Sequence, residues 1–147
     1  MVLAAMISSY TSYSQQGIPV QKIAEMQQIT VVAGTSVTAQ ISFNIAPEYH
    51  LQSNRPQNDA LIPTVLEIEA VRGIETGKIS YRLANNSLNK VPDYYSGELK
   101  VSFPVRVSEN LKRGNYILHG NLSYQAGTER SCLFPKNCEF DIRLHVL

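Results

Sequence analysis

Charge is scarce in this sequence and nowhere concentrated. Charged residues make up 17% of the chain, 13 Lys and Arg stand against 12 Asp and Glu, and the formal net charge is +1. A nucleic-acid-binding surface needs a basic face or stripe, and none is present, so that class of partner is set aside. Long apolar runs are missing too: no segment approaches the length that spans a bilayer as a helix. No helical period is sustained, and its one trace, at 20–26, is too short to define a helix. Motifs that carry chemistry are equally few. There is no Gly-rich phosphate loop, no Gly-x-Ser-x-Gly elbow and no paired-carboxylate motif. His50, His119 and His145 stand at no metal-ligand spacing and read as solvated surface histidines, so the sequence assigns no metal and no cofactor. Glu67 and Glu69 read as the wet face of a strand rather than an acid–base pair.

What the chain does have is a period of two. Val37, Ala39, Ile41, Phe43 and Ile45 alternate with Ser36, Thr38, Gln40, Ser42 and Asn44. Leu99, Val101, Phe103, Val105 and Val107 alternate in the same way, as do Phe140, Ile142, Leu144 and Val146. Tyr116, Leu118, Leu122 and Tyr124 share one face, with Gly120 among them. Each run buries one face of a strand and wets the other. Residues 29–33 and 62–71 add two strands, and 78–83 a weaker one. Turn formers separate them at Gly34, Pro47, Gly73, Gly114 and Pro135. Seven or more short strands at this spacing predict an all-β, immunoglobulin-like antiparallel β-sandwich. The core would hold Phe43, Leu66, Val101, Phe103, Leu118, Leu122, Ile142 and Leu144. Pro104 has no N–H to donate, which predicts that its strand lies at an edge or is bulged there.

At 147 residues the chain suffices for one domain with a two-layer core. Residues 1–16, apolar and then small and polar, read as a disordered arm or the remnant of a secretory signal, leaving 17–147 as the single domain. Two long segments, 48–63 and 84–96, are rich in turn formers, and loops of such length often carry function. The second ends on the adjacent pair Tyr94 and Tyr95.

The two cysteines, Cys132 and Cys138, bracket Leu-Phe-Pro-Lys-Asn. Three readings stand open. They form a structural disulfide across a tight turn, which requires their Cβ atoms to come within about 4 Å. Alternatively, Cys132 is a reactive thiol whose anion Arg130 and Lys136 favour. In the third, Cys138 is buried and inert at the head of an apolar strand.

The stretch from Leu122 to Pro135, Leu-Ser-Tyr-Gln-Ala-Gly-Thr-Glu-Arg-Ser-Cys-Leu-Phe-Pro, resembles the active-site segment of the N-terminal periplasmic domain of the thiol:disulfide interchange protein DsbD. Upstream, Pro47-Glu-Tyr-His-Leu-Gln-Ser-Asn-Arg-Pro56 is similar to that family's Gly-Tyr-His element, and Ile62-Pro-Thr-Val-Leu-Glu-Ile to the strand after it. The resemblance implies an immunoglobulin-like domain outside the cytoplasm, in the periplasm or beyond. It implies electron transfer by thiol–disulfide exchange between a membrane-embedded thiol-transfer domain and thioredoxin-fold redox proteins, without a small-molecule cofactor. By position, Cys132 matches the second family cysteine, the one that engages partners, and Tyr94 or Tyr95 falls in the cap loop that shields the pair. The first family cysteine falls on Gly127. The resemblance therefore leaves two expectations: an altered catalytic pair, Cys132 and Cys138, or a redox-inactive immunoglobulin-like binding module stapled by those two residues.

Overall fold

A computed structural model of the chain describes residues 18–22, 27–84 and 93–147. The arm at 1–16 and most of the segment 84–96 lie outside the described residues. The described chain contains no helix and twelve strands: β1 (Val20–Lys22), β2 (Gln27–Val31), β3 (Ser36–Ile45), β4 (His50–Gln52), β5 (Val65–Ile68), β6 (Ile74–Thr76), β7 (Ser80–Leu83), β8 (Tyr94–Tyr95), β9 (Glu98–Val107), β10 (Gly114–Tyr124), β11 (Ala126–Gly127) and β12 (Lys136–Val146). The helical trace at 20–26 thus starts with a strand.

One sheet runs β1-β3-β9, with β6 and β7 sharing the far side of β9; the other runs β2-β12-β10-β5. All pairs in these two sheets are antiparallel except β2 with β12. The alternating runs fix which residues face between the sheets. Phe43, Leu66, Val101, Phe103, Leu118, Leu122, Ile142 and Leu144 are all at most 2% exposed, as the period of two predicts. Burying each of these side chains contributes about 1.5–3 kcal/mol, so this inner layer holds the fold. The chain is an immunoglobulin-like antiparallel β-sandwich.

Two interior details depend on glycine or proline. A Cβ on Gly120 would stand 2.2 Å from Cζ of Phe140, whose ring lies over it and meets Phe43 edge-on at 5.7 Å. Pro104 lies in the central strand of its sheet, not at an edge, and pairs with Thr38. Its carbonyl accepts from Gly77 N at 2.8 Å, so the missing N–H points to that same side. There the neighbouring strand is interrupted between Thr76 and Ser80, and no donor is needed. The sheet breaks at the one place where proline would otherwise leave a ladder bond unmade.

A third, small sheet, β11-β4-β8, closes the end of the sandwich where β3 and β10 finish and β9 and β12 begin. Its strands are two or three residues long. The segment after β4 is tied down by two fully buried polar residues, Ser53 and Thr64. Ser53 N donates to Asp93 O, Thr64 N to Ser53 O, and Thr64 Oγ1 to Gln52 O at 2.6 Å. Every one of these bonds satisfies a group that burial would otherwise penalise.

Candidate functional site

The small sheet has two faces. Leu51, Ala126 and Tyr95 are buried, and Leu133 packs partly buried against the same core. With a period of two, the residues beside them, His50, Gly127, Cys132 and Tyr94, belong to the opposite, outer face. The register agrees: Gly127 is opposite His50 on β4, and a β-bridge pairs Gly127 with Cys132 on its other side.

The hydrogen bonds define that bridge. Leu133 N donates to Ala126 O at 2.9 Å and Thr128 N donates to Ser131 O at 2.8 Å, so the bonds flank Gly127 and Cys132 rather than joining them. This is the non-hydrogen-bonded kind of antiparallel pair, whose Cα atoms lie about 4.5 Å apart with side chains close. The turn between them, Thr128 to Ser131, is fastened by Thr128 Oγ1, which accepts from Arg130 N and Ser131 N at 3.2 Å each. Gln125 Nε2 donates to Leu133 O at 3.1 Å and holds the return strand. The thiol of Cys132 is therefore carried on a braced hairpin, and the residue is exposed.

Gly127 has no side chain, and His50 and the carbonyl oxygen of Ser131 border the gap. An ideal Cβ there would meet His50 Nε2 at 3.2 Å and Cε1 at 3.4 Å. The ring of His50 meets Tyr94 edge-on, with centroids 5.0 Å apart and planes at 77°. Tyr94 is 52% exposed and Phe134, two residues beyond Cys132, is 89% exposed. The exposed Glu129, Arg130 and Lys136 form no ion pair among the described residues, so they bathe the site in solvent-screened charge.

Of the sequence-predicted site residues, the structure brings Cys132, Gly127 and Tyr94 to one face. Tyr95 belongs elsewhere. It is 1% exposed, stacks on Tyr81 at 6.2 Å, and its hydroxyl donates to Asn54 Oδ1 and accepts from Asn54 N. Tyr95 therefore anchors the segment to the core. Cys138 is also apart: no disulfide joins it to Cys132, and it lies opposite Leu122 in the β10–β12 ladder, partly buried against the core. The expected Cys132–Cys138 staple is not formed, because one residue belongs to the outer face of the small sheet and the other to the inner face of a large one. Burial pushes the phenol of neighbouring Tyr124 up, and the charge of Cys138 adds to the rise.

His50 is the residue that sequence reasoning missed. Read as solvated, it stands beside the cysteine position instead. His119 is exposed and bonded to Asp141 at 2.5 Å, and the half-buried His145 is bonded to Asn115 at 2.7 Å.

No protein-family model matches the chain, and no curated protein does. Among solved structures it is similar to a PapD-like domain of human CEP192, at 9% identity and a TM-score of 0.46, covering 100% of this chain and 96% of that one. It is also similar to AggA, the major subunit of aggregative adherence fimbriae type I from Escherichia coli, at 13% identity and a TM-score of 0.38, covering 87% and 93%. A family 123 glycoside hydrolase from Clostridium perfringens matches at 14% identity and a TM-score of 0.40, over 84% of this chain and 23% of that one. Likeness at this level concerns architecture and says nothing of activity.

Proposed function

We propose that this domain carries out thiol–disulfide exchange through Cys132, outside the cytoplasm, with thioredoxin-fold proteins as its partners. One observation carries the reading. The resemblance to the DsbD N-terminal domain puts the two family cysteines at positions 127 and 132, and those two positions face each other as a bridged pair, a kind whose Cα atoms lie about 4.5 Å apart, inside the disulfide range.

With glycine at position 127, the internal disulfide of that family cannot form. Cys132 then works as a single thiol: it enters a mixed disulfide with its partner, and an outside thiol releases it. Cys138, turned to the core side of β12, contributes packing. The exposed rings of Tyr94 and Phe134 supply apolar surface for a docked partner.

The test offers the reduced protein an oxidised thioredoxin-fold partner that keeps only its attacking cysteine, as a mixed disulfide with a chromophoric thiol. A covalent 1:1 adduct through Cys132, absent from Cys132→Ser and present in Cys138→Ser, is expected. No adduct through Cys132 would leave an immunoglobulin-like binding module without redox activity.

A further inference from the structure

We infer that His50 is the base and acid of the Cys132 thiol: it takes the thiol proton and later returns it to the departing sulfur. This inference rests on the exchange reading and adds a residue and a proton path to it.

The argument starts from the cross-strand row His50–Gly127–Cys132. Three residues in register on adjacent strands project from one face, and here the middle one is glycine. Gly127 puts no side chain between the outer two, and the carbonyl oxygen of Ser131 borders the gap, 3.4 Å from where a Gly127 Cβ would lie. His50 turns toward that space: its Nε2 is 3.2 Å from the point a Gly127 Cβ would occupy, on the strand between it and Cys132. Cys132, as the non-hydrogen-bonded partner of Gly127, lies on the other side of that position. Tyr94 packs edge-on against the ring and limits its swing away. Among the described residues, neither ring nitrogen of His50 has a hydrogen-bond partner, so no other group competes with the thiol for Nε2 when the two side chains turn toward each other. The charged groups around the row are Glu129 and Arg130 in the turn and Lys136 at the head of β12, all solvent-exposed and of mixed sign. None of them reaches over Gly127 to take the place of the imidazole there.

The exchange step balances without any further reagent than a disulfide and a thiol. Neutral His50 accepts the proton of Cys132, giving a thiolate–imidazolium pair. The thiolate attacks one sulfur of the partner's disulfide; a new bond to Cys132 forms as the old sulfur–sulfur bond breaks. The expelled thiolate takes the proton from His50, leaving imidazole, a reduced partner thiol and a mixed disulfide on Cys132. Attack by a second external thiol reverses these roles and frees Cys132.

The test measures the iodoacetamide alkylation rate of Cys132 against pH in wild type, His50→Gln and His50→Phe. Trypsin separates the two cysteines into the peptides 131–136 and 137–143, so mass spectrometry reads Cys132 by itself. The rate at pH 7 should fall about tenfold or more in each variant, with all three converging above about pH 10, where an ordinary thiol is almost wholly ionised. Superimposable profiles overturn the inference. Thermal unfolding of both variants guards against a loss of structure, and two different replacements must agree. The outcome is separable from the exchange reading: a shifted alkylation profile with no partner adduct removes the partner chemistry and keeps the His50–Cys132 pair, and an adduct with unshifted profiles does the reverse.

Discussion

Gly127 and Cys132 face each other across a four-residue turn, paired by the backbone and flanked, not joined, by hydrogen bonds. That relationship predicts a disulfide the chain lacks. The expected Cα separation of about 4.5 Å falls inside the range in which disulfides form. Gly127 is not in the left-handed region, so a side chain is tolerated, and the nearest obstacle is the movable tip of His50 at 3.2 Å. Gly127→Cys, reduced and then reoxidised, should close a 127–132 bond, detected by mass spectrometry. So small a loop adds at most about 2 kcal/mol. If the introduced thiol never bonds to Cys132 under oxidising conditions, the register of this hairpin is wrong.

The adjacent tyrosines should separate cleanly. Tyr95 fills the core and bonds Asn54, so Tyr95→Ala should cost about 3–5 kcal/mol and lower Tm by roughly 10 °C. Tyr94 lies half in solvent, and Tyr94→Ala should change stability by only about 0.5 kcal/mol. At a pH where every thiol is ionised, so that access alone matters, Tyr94→Ala should alkylate Cys132 faster than wild type. An equal rate there would show that Tyr94 gives Cys132 no shelter.

How far the sequence could be read depended on strand length. Strands β3, β9, β10 and β12 each run ten or eleven residues with one wet face, so their alternation predicts the inner layer residue by residue. The small sheet is built of two- and three-residue strands, too short for any period to register. His50 was hidden for that reason, lying in a segment whose turn formers suggested a loop. A signal did exist: a four-residue turn, Thr128 to Ser131, makes Gly127 and Cys132 direct partners by counting outward. The same counting would have separated Cys132 from Cys138. Pro104 misled because a missing N–H suggests an edge, whereas here the neighbouring strand gives way instead.

Overpacking should be visible at Gly120. A methyl group there would collide with the Phe140 ring, which is itself buried against Phe43. Gly120→Ala should destabilise by about 1–3 kcal/mol, lowering Tm by roughly 3–10 °C. Shrinking the ring in the Gly120→Ala, Phe140→Leu double variant should cost less than the sum of the single changes, because the two groups compete for one volume. Strict additivity would place the strain elsewhere.

Alkali should find the buried phenols. Burial raises Tyr81, Tyr95 and Tyr124 above their ordinary value near 10, and in Tyr81 and Tyr95 it outweighs the backbone N–H groups of Leu66 and Asn54 that favour the anion. The folded chain therefore keeps these protons to a higher pH than the unfolded chain does. Their contribution to stability is fully present below about pH 10 and is lost as pH rises through the folded values, at about 1.4 kcal/mol per pH unit for each group. Urea unfolding midpoints should be level from pH 8 to pH 9.5 and fall steeply beyond pH 10. Tyr124 isolates the effect, since no backbone N–H favours its anion as in Tyr81 and Tyr95. Tyr124→Phe should leave stability at pH 7 within about 1 kcal/mol of wild type, yet decline less steeply in alkali by one proton's worth of slope. A wild type and a Tyr124→Phe variant that fall in parallel would show that Tyr124 ionises equally in both states.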